Sequence, residues 1–166
     1  MIVNGKRLLE LSPIKDMLTE KRKLHGVSYG LSEGGYDIRI KQEISFEVHS
    51  NGSRIVHVDG NCHYTTGRFS LASSLEEFTM PPTLLGIVHD KSTWARKGLS
   101  VFNTVIEPGW NGFLTLELVY NGEDELVIPA GAGIAQILFH EVSSAAYYEG
   151  KYQNQEDKPV PARESK

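Results

Sequence analysis

From His89 to Gly98 the chain sets three cations, Lys91, Arg96 and Lys97, beside two hydroxyls, Ser92 and Thr93. The stretch follows an apolar run and opens a short turn or helix. Such a site can aim backbone N–H groups, hydroxyls and a guanidinium at phosphate oxygens, and arginine's planar fork binds phosphate through two parallel bonds. Read alone, the stretch is more often a solvated basic turn. A second segment, Asn103 to Gly112, carries the tight turn Pro108-Gly109 and the broad ring of Trp110 just before a strong strand. Along that strand Phe113, Thr115, Glu117 and Val119 share one face, and Leu114, Leu116, Leu118 and Tyr120 share the other. Both faces are largely apolar, so Glu117 stands as an isolated carboxylate. It points to solvent, pairs with a cation or does proton chemistry.

These segments need a β scaffold. From Tyr36 onward short alternating runs are separated by glycine, proline and asparagine, which predicts strands at Tyr36–Ile40, Ile44–Val48, Arg54–Val58, Arg68–Ala72, Leu84–His89, Phe113–Tyr120, Glu125–Ile128 and Ile134–Glu141. Turn residues punctuate them at Asn51-Gly52, Asp59-Gly60, Asn121-Gly122 and Pro129-Ala130-Gly131. The stretch from Lys6 to Lys23 is rich in Leu, Lys and Glu and predicts helix, with Pro13 as a break or start. The expected fold is mainly β, a distorted sandwich or jelly roll with a helical N-terminal segment. Residues 1–149 form the domain, and the polar segment 150–166, with little to bury, is expected to be mobile.

Composition narrows the chemistry. The 166 residues suffice for one domain with a real core, and 40% apolar with 23% charged residues is an ordinary soluble balance. A net charge of −4 advertises no nucleic-acid surface, so an anionic ligand would need local charge. Met1 to Glu10 show no secretory pattern, and no apolar run approaches the roughly 18 residues of a membrane span, so a cytoplasmic setting is expected. Cys62 is the single cysteine, read as a buried or incidental thiol. The six histidines (His25, His49, His57, His63, His89 and His140) form no His-x-Glu pair followed by Cys-x-x-Cys, so the zinc nucleobase-deaminase signature is missing. Neither a Gly-x-Ser-x-Gly elbow nor a Walker loop occurs.

Four segments in order resemble the dCTP deaminase and dUTPase superfamily. Gly35 to Arg39 resembles its first motif, whose aspartate, here Asp37, sits near a metal-bound triphosphate. Asp90 to Gly98 resembles the phosphate-binding second motif, Thr104 to Gly112 the nucleoside-binding third, and Gly131 to Phe139 the fourth. Glu117 matches the glutamate that shuttles protons in the deaminases and that dUTPases lack. The tail from Tyr148 to Gln155 resembles the deaminase lid more than a glycine-rich fifth motif.

The resemblance implies a dUTPase-like subunit that forms homotrimers with shared sites, and zinc-independent deamination of dCTP to dUTP. Glu117, Arg96 and Ser92 would be catalytic. Lys91, Thr93, Asn103, Thr104, Val105, Glu107, Trp110, Thr115, Gln136, Tyr148, Lys151 and Gln155 would hold the nucleotide. Magnesium would arrive with the triphosphate, Asp37 meeting it through water, and dCTP, dUTP and dTTP would be the ligands, with no nucleic acid and no membrane. Three departures bear on base choice: Lys91 stands for the usual arginine, Glu107 for the usual aspartate, and the segment from Arg96 to Glu107 is about two residues shorter than in the well-known deaminases. The alternatives are a bifunctional deaminase and diphosphatase, a pyrophosphatase on dUTP or a modified dCTP, and a nucleotide-sensing protein without turnover.

Overall fold

The structure is a computed structural model that describes residues 1–63 and 67–164, with the backbone alone for 61–63. The reading of Cys62 as a buried thiol, and the side chain of His63, lie outside the described residues. In chain order the elements are β1 (Ile2–Val3), α1 (Gly5–Leu11), β2 (Lys21–Leu24), β3 (Val27–Leu31), β4 (Tyr36–Arg39), β5 (Ile44–Val48), β6 (Arg54–Val58), β7 (Asn61–His63) and β8 (Phe69–Thr79). They continue with β9 (Leu84–Asp90), α2 (Ser92–Ala95), β10 (Leu99–Val101), β11 (Val105–Ile106), β12 (Asn111–Tyr120), β13 (Leu126–Ile128) and β14 (Gly133–Glu141).

All described strand pairs are antiparallel and fall into three sheets. One runs β11-β9-β14-β4-β3-β2 with β1 also on β14, one runs β10-β12-β8, and one runs β13-β5-β6-β7. The expected β-rich, antiparallel architecture is present. Leu114, Leu116, Leu118 and Tyr120 from the inner face of β12 enter one core with Ile38, Phe78, Ile106 and Phe139. The alternation read from the sequence holds from Leu116 to Tyr120, and it is interrupted at the register shift, where Leu114, Thr115 and Leu116 are buried in succession.

The helical expectation for Lys6 to Lys23 is corrected. The helix stops at Leu11, where Ser12 turns left-handed at φ 45° and returns its N–H to the Leu8 carbonyl. Pro13 follows, and a proline disfavours helix in the residue before it. Lys21–Leu24 instead makes a fully exposed edge strand, paired with β3 through a His25-Gly26 turn in which both residues have positive φ.

Strand β8 runs on to Thr79, well past Ala72, because its polar middle is hydrogen-bonded rather than solvated. Buried Ser73 and Gln42 bond to each other, and Ser74 Oγ receives the Leu114 N–H where β8 bulges against β12. Buried Glu76 accepts from the Arg39 backbone N–H and from Arg39 Nε, both at 2.8 Å, which locks β4 to β8. Burial raises the Glu76 carboxyl above its usual range against the pull of these Arg39 bonds.

Candidate active site

A cavity of about 480 Å³ opens beside β12. Of the expected residues, Thr104, Val105, Glu107 and Trp110 line it from the turn, Thr115 and Glu117 from the strand, and Tyr148 and Gln155 from the C-terminal segment. Leu71, Leu114 and Ile106 make much of the remaining wall apolar. Glu117 accepts a hydrogen bond from Thr104 Oγ1 at 3.2 Å, and among the described residues it forms no ion pair. Burial in this setting raises its pKa above the ordinary carboxylate value, while the Thr104 hydroxyl and a backbone bond oppose the rise. The cation-pairing reading of Glu117 therefore fails within one subunit. A half-buried carboxylate with a hydroxyl partner and a raised pKa suits proton transfer in both directions.

The basic segment sits elsewhere. Ser92, Thr93 and Arg96 are exposed on α2 and its end, outside the cavity lining. Among the described residues Arg96 forms no ion pair. Lys91 is largely buried and donates to Asp37 Oδ2 at 2.5 Å, where Ser28 Oγ also donates at 3.2 Å. Gln136 is the cross-strand neighbour of Asp37 and donates to Ser32 Oγ at 3.0 Å. The motifs thus divide into a carboxylate cavity and a Lys91–Asp37–Gln136 face on the large sheet. Asn103 is exposed and does not line the cavity, and Lys151 is exposed with its ammonium on the Arg163 carbonyl.

The expectation that the tail has little to bury is corrected. Gln155 is 8% exposed and Val160 is 9% exposed, and both help wall the cavity. Trp110 Nε1 donates to the Tyr152 carbonyl at 2.6 Å, and the Phe113 N–H donates to the Gln155 carbonyl at 3.1 Å. Gly112 makes this docking possible. A Cβ there would come within 2.5 Å of the Gln155 nitrogen, and φ is +129°. Sequence reasoning missed Phe69, Leu71, Ile106, Leu114, Tyr152, Val160, Pro161 and Ala162 as lining residues. For Tyr152 the available signal was its place between Lys151 and Gln155. For Pro159 to Pro161 none existed, since a Pro-rich polar tail reads as mobile whether or not it has a seat.

A family model described as dCTP deaminase-like matches residues 9–142. The dCTP deaminase of Chlamydia muridarum is 39% identical over 153 residues, covering 81% of this chain and 80% of that protein. That of Chlamydia trachomatis serovar L2 is 35% identical over 180 residues, covering 94% of each. Among solved structures, the 2'-deoxycytidine 5'-triphosphate deaminase from Agrobacterium tumefaciens has a TM-score of 0.58 at 10% identity, covering 87% of this chain and 50% of that one. EIAV dUTPase has a TM-score of 0.52 at 17% identity, covering 91% and 97%. At such identities the two structures speak for the fold.

Proposed function

The chain belongs to the dCTP deaminase-like family, and from that premise we propose that it hydrolyses dCTP to dUTP and ammonia with Glu117 as the proton carrier. The observation that carries the reading is the lone half-buried Glu117 carboxylate, bonded to Thr104 in an apolar cavity. Glu117 takes a proton from water as the oxygen bonds to C4 of cytosine, and delivers it to N3. The second water proton passes by the same carboxylate to the amine, the C4–N4 bond breaks, ammonia leaves and Glu117 is again ionised. Thr104, Val105, Glu107 and Trp110 hold the nucleoside from the cavity wall, exposed Asn103 meets it from outside that wall, and Thr115 and Gln155 close the cavity over it.

Ser92 and Arg96 stand outside the cavity of their own subunit and complete that of a neighbour, so the active form is a homotrimer. Exposed apolar side chains beside the cavity support this: Phe69 and Phe102 are 41% and 53% exposed with ring centroids 6.5 Å apart, and Val105 is 47% exposed. Lys91, Thr93, Gln136, Tyr148 and Lys151 hold the triphosphate. The donor set near Asp37 fits a magnesium ion carried by phosphate. Among the described residues buried Asp37 Oδ1 has no hydrogen-bond partner, while Lys91 on Oδ2 leaves no open pair of oxygens for direct ligation. The ion would neutralise phosphate charge. Cytoplasmic residence completes the reading. Among the described residues no helix is long and apolar enough to cross a membrane.

Chromatography of products from dCTP and from dUTP with magnesium tests the proposal. Release of ammonia and dUTP from dCTP is expected. Formation of dCMP and pyrophosphate would overturn it, as would dUMP from dUTP with no ammonia from dCTP, and ammonia with dUMP from dCTP would mark a bifunctional enzyme.

A further inference from the structure

We propose that Thr115 is a positioning residue whose hydroxyl latches the C-terminal segment onto the strand that carries Glu117. Its Oγ1 accepts from Gln155 Nε2 at 2.7 Å and from the Val160 N–H at 3.0 Å, and Thr115 is 7% exposed. Two donors fill both acceptor positions of one hydroxyl. Pro159 and Pro161 have no N–H, so Val160 supplies the sole backbone donor of that stretch, and it is spent on Thr115. Gln155 also grips β12 with its backbone, through its bridge to Gly112 and its carbonyl on the Phe113 N–H. Trp110 Nε1 on the Tyr152 carbonyl and Gln153 on Asn111 and Gly109 hold the start of the segment to the turn, whereas farther along Lys41 to Asp157 is an exposed ion pair of the kind that contributes little.

Thr115 and Glu117 lie two residues apart on one face of β12, about 7 Å along the strand, and both line the cavity. Seating of the segment is therefore registered on the same stretch of backbone that aims the carboxylate. Phe113, two residues before Thr115, donates its N–H to the Gln155 carbonyl of the segment. A valine at 115 would keep the β-branched shape and leave two buried donors without an acceptor.

This inference deepens the deaminase reading but is tested first by a measurement that needs no turnover. Trypsin cleavage after Lys151, followed without nucleotide, should speed up about tenfold or more in Thr115→Val, because lost acceptors favour local opening of the segment. Thr115→Ser, which keeps the hydroxyl, should restore protection. In a Gln155→Ala, Val160→Pro background, where both donors are gone, Thr115→Val should add nothing. With dCTP, Thr115→Val should raise KM about tenfold and change kcat far less. Wild-type cleavage rates in Thr115→Val, failure of serine to restore them, or an undiminished effect in the doubly substituted background would overturn the latch. Should Thr115→Val not fold, rapid cleavage of the Gln155→Ala, Val160→Pro chain supports the latch and slow cleavage overturns it. A wild-type protein that releases no ammonia from dCTP would sink the deaminase reading and leave the protease result standing.

Discussion

Thr104 Oγ1 donates to Glu117 Oε2 at 3.2 Å, tying the turn before β11 to the strand that supplies the cavity's carboxylate. Burial raises the Glu117 pKa and this bond holds the rise in check. A base works in its ionised form, so activity falls as pH drops through the raised pKa. Removing the hydroxyl in Thr104→Val removes a lowering influence, and the acid limb of the kcat/KM profile should move to higher pH. An acid limb that stays in place would separate Thr104 from the titration.

Glu117→Gln keeps the shape of the side chain and cannot accept the proton. Deamination should fall at least ~10²-fold while nucleotide binding survives, as seen by calorimetry. The linkage has a definite sign. A carboxyl whose folded pKa is raised contributes stability that is fully present below its unfolded pKa and is lost as pH rises through the folded one. The variant, neutral throughout, should therefore melt above the wild type at neutral pH, and the gap should close under acid conditions. Near-normal turnover would remove Glu117 from the chemistry.

Arg96 is exposed, outside the cavity lining and without an ion pair among the described residues, so Arg96→Ala should leave the subunit's melting temperature nearly unchanged while destroying activity. Arg96→Lys should not fully restore activity, because a point charge lacks the guanidinium fork. If the site is shared, refolding Arg96→Ala and Glu117→Gln subunits together should recover part of the activity, since some mixed sites draw both intact residues. Sedimentation should give the mass of three subunits. A fully active monomer would refute the shared site.

Ending the chain after Glu149 removes the Tyr152 carbonyl from Trp110 and the Gln155 carbonyl from Phe113. It also opens one wall of the cavity. The truncated protein should fold, because the core cluster lies entirely before residue 149, and should lose most of its activity as water enters the site. In the full chain, nucleotide with magnesium should protect the segment from protease further. Unchanged kinetics after truncation would leave the segment without a role.

Local pattern carried much of this protein. Alternation along Phe113–Tyr120 assigned Glu117 and Thr115 to one face, glycine and proline spacing marked most of the long strands, and four ordered segments carried the family resemblance. Those features are legible because side-chain period and turn chemistry act between near neighbours. Tertiary structure decided what depends on distant partners. Lys91 meets Asp37 fifty-four positions away, and Thr104 rather than a cation faces Glu117. The polar middle of β8 is buried because Gln42, Arg39 and Leu114 satisfy it. The C-terminal segment shows most plainly where sequence stops. Its composition offers little apolar surface, yet Thr115 and the close approach at Gly112 give it a seat. A hydrogen-bond acceptor forty-five residues away leaves no trace in the local pattern of the segment it holds.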